Sequence, residues 1–263
     1  MKSKYSFHEY GFQIKSFKLA QEGNIDYAQW LHPYEEEKII SEGMINFYKN
    51  YAKRGSLVID IGAHTGDTSV PMSVSVGKSG TVLALEPNPY VFKILKKNSE
   101  QNPGKTNIIP LNFAATDIDG EFEFNYSDAS FCNGGIFQKI QSKKHGHKYI
   151  LKVKGKNLEN FLRENYSSIL HTLSLIKVDA EGYDKEILKS IRSILAEFKP
   201  NIISECNKNL TVEERNELYD LLSNLGYRLF KLDKFDENSK VTIIENSSGM
   251  TRWEHFDLIA MPK

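Results

Sequence analysis

Apolar residues change their spacing several times along the chain, and each change marks an element. Over residues 34–53, Ile39, Ile40, Met44, Ile45, Phe47, Tyr48 and Tyr51 recur at helical intervals, which predicts an amphipathic helix. Leu57–Ile61 is a short apolar run of strand type, and from there strands and helices alternate. The pattern predicts a helix over 66–76, a strand over 81–86, a helix over 89–101 and a strand over 106–111. Gly120 precedes a hairpin-like strand over 121–126. Residues 127–147, rich in Ser, Asn, Gly and Lys, read as a long loop or lid. A strand over 149–153 and a helix over 158–165 follow. Leu173–Val178 is almost continuously apolar and should lie centrally in the sheet. A helix over 183–198 is ended by Pro200, and a strand over 201–205 follows. A helix over 212–225 stops at Gly226, a favourable C′ residue. Strands at Tyr227–Leu232 and 255–261 close the chain.

Strand–helix alternation of this kind implies right-handed crossovers and a mostly parallel sheet covered on both faces. The predicted fold is a doubly wound, Rossmann-like α/β domain of about seven strands, with an antiparallel C-terminal strand. Residues 1–33 show no clear period and read as an N-terminal extension packed on a single domain spanning 34–263.

Composition changes this picture little. The chain has 263 residues, enough for one large core, and Lys+Arg and Asp+Glu balance at 34 each. No net field favours nucleic acid, which argues against a polyanionic partner. Cys132 and Cys206 are far apart and outside any CxxC pair, so neither a zinc cage nor a disulfide framework is expected. No run of eighteen apolar residues occurs, and residues 1–12 lack the apolar stretch of a signal peptide. A reducing, cytoplasmic setting without membrane insertion is the expectation. No feature bears on oligomeric state.

The candidate chemistry begins where the first strand ends, at Asp60-Ile61-Gly62-Ala63-His64-Thr65-Gly66. Gly62 permits a sharp turn where a ligand must approach the backbone. The pattern is D-x-G-x-x-x-G; Asp60 occupies the position of the first glycine of the dinucleotide fingerprint, and no G-K-[ST] follows. An acid at the strand end and open glycine backbone suit S-adenosylmethionine, which carries an ammonium, a carboxylate and a sulfonium but no phosphate. A plain tight turn is the competing reading. About 20 residues further on, Glu86 ends the second strand, placed to accept from ribose hydroxyls; otherwise it is a carboxylate favouring a helix N-terminus. Asn112 and Ala114 after the third strand could meet an adenine edge, though Asn and Asp are also ordinary turn residues there.

A second group lies at the end of strand Leu173–Val178, in Asp179-Ala180-Glu181-Gly182-Tyr183-Asp184. Asp179 and Glu181 are two apart, so extended backbone would send both to one side, across the crevice from Asp60. Glu205 ends the next strand on the same rim. Transfer of a methyl group to an alcohol needs alignment and removal of a proton. Glu181 is the first candidate base, and Asp179 is a candidate to hold the ligand's ammonium or orient the acceptor. The competing reading is a helix N-terminal box with Asp179 as N-cap. A divalent cation on Asp179, Glu181 and Glu205 is disfavoured because these acids lack a loop cage. His64, His145 and His147 read as loop histidines, Asn133-Gly134-Gly135 as a loop tip, and Trp30, His32 and Tyr34 as packed aromatics.

Together, the first-strand turn, Glu86-Pro87-Asn88-Pro89 and Ile176-Lys177-Val178-Asp179-Ala180-Glu181-Gly182 resemble the FkbM family of methyltransferases, over about residues 34–206. The resemblance implies a seven-stranded methyltransferase fold, S-adenosylmethionine as donor, and O-methylation of a sugar, glycan or small natural-product hydroxyl. It implies that Asp60, Gly62, Ala63 and Gly66 hold the methionine portion; Thr65 in the same turn is a further candidate for cofactor binding. Glu86 would hold the ribose, with Asp179 and Glu181 on the acceptor side. The chain departs from the family at Asp67-Thr68-Ser69, where an aromatic is common. The competing functions are a nucleotide-dependent oxidoreductase and a non-catalytic adenosine-binding module.

Overall fold

The computed structural model describes residues 9–126 and 149–263. The expected loop over 127–147, with Cys132, Asn133-Gly134-Gly135, His145 and His147, lies outside the described residues.

The chain begins with an antiparallel hairpin, β1 (Phe12–Leu19) and β2 (Gly23–Trp30). Helix α1 (Glu42–Tyr51) leads into β3 (Leu57–Ile61), and α2 (Ser69–Val76), β4 (Thr81–Leu85), α3 (Pro89–Glu100) and β5 (Ile108–Leu111) complete the first half. A small three-stranded sheet of β6 (Ala114–Thr116), β7 (Gly120–Tyr126) and β8 (Tyr149–Asn157) follows. The second half comprises α4 (Leu158–Leu170), β9 (Leu173–Val178), α5 (Asp184–Ser190), α6 (Arg192–Phe198) and β10 (Asn201–Cys206). It ends with α7 (Val212–Asn224), β11 (Tyr227–Leu232), β12 (Val241–Ile244) and β13 (Phe256–Pro262).

The main sheet has eight strands in the order β12-β11-β13-β10-β9-β3-β4-β5. The run from β10 to β5 is parallel, and β13 enters antiparallel between β10 and β11. The predicted fold class and the reversed C-terminal strand are thus realised, with β12 as an added edge. Strand order advances from β3 to β5 in one direction and from β9 to β10 in the other. The reversal therefore falls between β3 and β9, where the carboxyl ends of the strands open a crevice.

Both faces of the sheet are buried. Leu57, Ile59 and Ile61 pack with Ile176, Val178, Leu188 and Leu218 on one face; Val58 packs with Leu175, Ile45, Tyr48 and Val70 on the other. Strict alternation puts Asp60 and Lys177 on the second face, opposite each other in register.

Several predicted boundaries move for local reasons. Helix α1 begins at Glu42 because the Ser41 side chain accepts from the Met44 amide, so residues 34–40 run as an irregular strap. The predicted helix over 183–198 breaks at Ile191, whose ψ of 22° ends α5 and starts α6. Helix α4 continues to Leu170 past a non-helical Tyr166. The hairpin was hidden from periodicity because β1 is mostly exposed and buried Gln29 interrupts the alternation of β2. No helix among the described residues is long and apolar enough to cross a membrane.

Candidate active site

The turn after β3 is shaped by its glycines. Gly62 has φ +77°, and a Cβ there would lie 1.9 Å from the Asp179 carbonyl oxygen, so the β3 and β9 loops touch through bare backbone. The Gly62 and Ala63 amides both donate to the Leu85 carbonyl, at 3.0 and 2.9 Å, and the Gly66 amide donates to Ala63. The amides of these residues are therefore spent within the turn, and the Gly62 position is closed by the Asp179 backbone. The His64 amide donates to the Glu86 carboxylate at 3.0 Å, although His64 itself has a left-handed φ of 48°. Glu86 also accepts from the Asn88 amide at 2.7 Å, and Asn112 donates to the Glu86 carbonyl at 2.8 Å. Gly62, His64, Glu86 and Asn112 thus converge where the carboxyl ends of β3, β4 and β5 meet.

The other cofactor candidates are placed differently. Asp60 is fully buried; its Oδ2 accepts from the Thr68 and Ser69 hydroxyls, and its Oδ1 has no hydrogen-bond partner. Thr65 is buried too, its hydroxyl 2.7 Å from the Tyr27 hydroxyl. Ala114 is buried in the small sheet opposite Gly155. In this structure Asp60 and Thr65 brace the turn from beneath.

Lys177 was missed as a functional residue, although a lone lysine inside a buried strand was a legible signal. It is 3 % exposed, and its Nζ stands 3.7 Å from Asp60 and 3.2 Å from Asp179. Burial alone would favour the neutral amine, but Asp179 and Asp60 together raise its pKa above the ordinary lysine value. Burial holds the Asp60 carboxyl above its usual range, opposed by Lys177 and the two hydroxyls.

After β9 the backbone turns sharply. Glu181 has φ +53° and Gly182 φ +94°, so the extended geometry expected for Asp179 and Glu181 is replaced by a left-handed turn. Nor is Asp179 the cap of α5: that position is Tyr183. The turn is fixed by Asp184, fully buried, which accepts from the Ala180 amide at 3.1 Å and the Glu205 amide at 3.0 Å. Burial, then Asp179 and Glu205, push the Asp184 carboxyl well above its usual range.

Glu181 is brought into the electrostatic range of Asp179 and Glu205. Burial, followed by repulsion from Glu205 and Asp179, raises its carboxyl to about 7. Glu205 is raised for the same leading reason, while Asn207 donates to it at 2.9 Å and His255 lies 3.3 Å away. Asp257, in register with Glu205, is also raised by burial and by Asp179. Burial and mutual repulsion thus raise the carboxyls of Glu181, Glu205 and Asp257 on this rim above their usual range. No group of three or more His, Cys, Asp or Glu among the described residues could hold a metal ion.

A doubly wound sheet with a glycine turn at its switch point and an acid just past the end of the adjacent strand defines a Rossmann-like α/β architecture. The methyltransferase FkbM domain model matches residues 60–229, and the chain belongs to that family. The hexuronic acid methyltransferase AglP of Haloferax volcanii is 27 % identical over 154 residues, 59 % of this chain and 57 % of that protein. A fibrillarin-like rRNA/tRNA 2'-O-methyltransferase of Pyrobaculum aerophilum is 27 % identical over 126 residues, 47 % of this chain and 48 % of that one. The chain spans about half the length of the curated relatives it matches. Among solved structures, a Bacillus cereus O-methyltransferase in complex with SAH overlaps at TM-score 0.46 and 10 % identity, covering 87 % of this chain and 84 % of that one. Aeropyrum pernix fibrillarin with bound S-adenosyl-L-methionine overlaps at 0.44 and 13 %, covering 97 % and 96 %.

Proposed function

We propose that the chain is an S-adenosylmethionine-dependent O-methyltransferase whose acceptor is a hydroxyl of a sugar, glycan or small metabolite. Two observations support the reading: the Glu86 carboxylate is fixed by backbone amides beside the glycine turn, and Glu181 lies in the turn after β9, the strand next to β3. The residues fit the cofactor. The missing Cβ of Gly62 lets the Asp179 backbone close on the turn, and the backbone fixes the Glu86 carboxylate just past the end of β4, where it can receive ribose hydroxyls. Asp60 and Lys177 hold the turn from below.

Bound S-adenosylmethionine supplies an electrophilic methyl on a sulfonium. Glu181 would accept the proton that the acceptor hydroxyl must give up on methylation. A carboxyl with a pKa of about 7 suits that task near neutral pH. Asp179 orients the acceptor beside it. The hexuronic acid named for one relative supports a sugar acceptor. The balanced charge of the chain favours it over RNA, the acceptor named for the other.

Calorimetric titration with S-adenosylhomocysteine and with NAD tests the cofactor, and labelled methyl donor with hexuronic acids, neutral sugars and RNA tests the acceptor. Binding of NAD in preference to S-adenosylhomocysteine would overturn the reading. Labelling of RNA alone would overturn the acceptor class, and binding without labelling of any hydroxyl acceptor would favour a non-catalytic adenosine-binding module.

A further inference from the structure

The strap between the hairpin and α1 carries a charged group that the turn and rim do not account for. Gln29 pins it twice: its side-chain amide donates to the Glu36 carbonyl at 3.2 Å, and its carbonyl accepts from the Lys38 amide at 2.8 Å. This fastening lays residues 35–38 over the glycine turn. Lys38 Nζ is 3.0 Å from Asp67, the residue after Gly66. The Glu35 side chain is only 2 % exposed, yet its Oε1 has no hydrogen-bond partner. The nearest nitrogens stand off, Lys38 Nζ at 3.7 Å and His64 Nδ1 at 3.9 Å, and burial lowers the His64 imidazole to about 4, so it brings no charge near neutral pH. A buried carboxylate oxygen without a donor is costly, and such a group ordinarily has a partner.

His64 shows which partner fits. Its backbone amide donates to Glu86 and its ring faces Glu35, so two buried carboxylates flank one residue of the turn. If Glu86 takes the ribose, a ligand running on across the turn brings its amino-acid end towards Glu35. We propose that Glu35 receives the α-ammonium of the cofactor's methionine end, with Lys38 beside it for the α-carboxylate. This rests on the cofactor reading given above. A zwitterion matches a site in which acid and base lie side by side, whereas a nucleotide phosphate would meet Glu35 and Asp67 unfavourably. Burial raises the Glu35 carboxyl to about 7, against the pull of Lys38 and with the push of Asp67 and Glu36; a bound ammonium would relieve that cost.

The test compares S-adenosylhomocysteine with 5'-methylthioadenosine, which has the adenosine and sulfur but no amino-acid end. In full-length protein, Glu35→Gln should weaken S-adenosylhomocysteine roughly 10- to 100-fold, the range for loss of a buried charged hydrogen bond, and leave 5'-methylthioadenosine unchanged. Lys38→Met should show the same selectivity. Equal weakening of both compounds would mean Glu35 only supports the fold and would overturn the assignment, as would no weakening of either. Should Glu35→Gln fail to fold, Glu35→Asp, with its charge one methylene further back, is judged by the same selectivity. Wild-type protein that binds neither compound would instead overturn the cofactor reading. Wild-type protein that binds both equally would retain that reading and refute the role of Glu35.

Discussion

Glu86 is a buried carboxylate just past the end of β4, and Glu181 is a half-buried one three residues past β9; their surroundings differ. Glu86 accepts from the backbone amides of His64 and Asn88, which hold its carboxylate in place. Glu86→Ala should weaken S-adenosylhomocysteine binding by about 1–3 kcal/mol, read by calorimetry, through loss of a charged hydrogen bond. Glu181 lies among other acids, and burial, then Glu205 and Asp179, raise its carboxyl to about 7. Glu181→Gln should lower turnover about 10²- to 10⁴-fold with little change in cofactor affinity, measured with labelled donor. The same substitution has a stability signature. A carboxyl raised from 4.5 to about 7 keeps its proton in the folded chain after the unfolded chain has lost it. Wild-type stability should therefore be lost as pH rises from about 4.5 to 7 and level off above that. Glutamine cannot ionise, so the variant's melting temperature should exceed wild type at pH 8 and converge with it near pH 4.5. A constant gap across that range would show that Glu181 titrates normally.

At the scale of elements, the site depends on β3 and β9 lying side by side. Their register sets Asp60 opposite Lys177, and the Gly62–Asp179 backbone contact follows two residues beyond. Lys177 is the only cation within salt-bridge distance of Asp60 among the described residues. Lys177→Met should cost about 3–5 kcal/mol in chemical denaturation, because it leaves the buried Asp60 without its counter-charge. Asp60→Asn in the same background should recover part of that loss, since the neutral amide needs no cation. No recovery would mean that the two side chains are energetically independent. Helix α7 is held in a comparable way: buried Arg215 donates to the carbonyls of Asn207, Leu210, Met250, Trp253 and Glu254, tying the loops after β10 and before β13 to one side chain.

Across the whole molecule, the N-terminal hairpin reaches the site through asparagines of α3 and the following turn. Asn98 accepts from the Ala28 amide and donates to the carbonyls of Ala28 and Thr65, linking β2, α3 and the glycine turn at one buried side chain. Asn102 makes a reciprocal pair with the Asp26 backbone. Asn98→Ala should destabilise the fold by about 1–3 kcal/mol or more in denaturant melts, because buried backbone groups lose their partners. It should also weaken cofactor binding, since Thr65 is part of the same junction. Unaltered binding in the folded variant would separate the hairpin from the site.

The alternation of strands and helices, the turn at Gly62 and the acids at 86, 179, 181 and 205 were legible in the residues alone. Each depends on near neighbours: the period of apolar side chains, a glycine where φ must be positive, a polar residue ending a buried run. What those acids face was decided by pairings over long separations. Lys177 meets Asp60 across 117 positions only because β3 lies against β9 in that register. The left-handed backbone at Glu181 depends on Asp184 reaching the amide of Glu205 on the next strand. Glu35 comes to the turn because Gln29 pins a strap that has no period of its own. Local sequence specifies which way a side chain points from its own element; only the packed sheet determines which charge waits there.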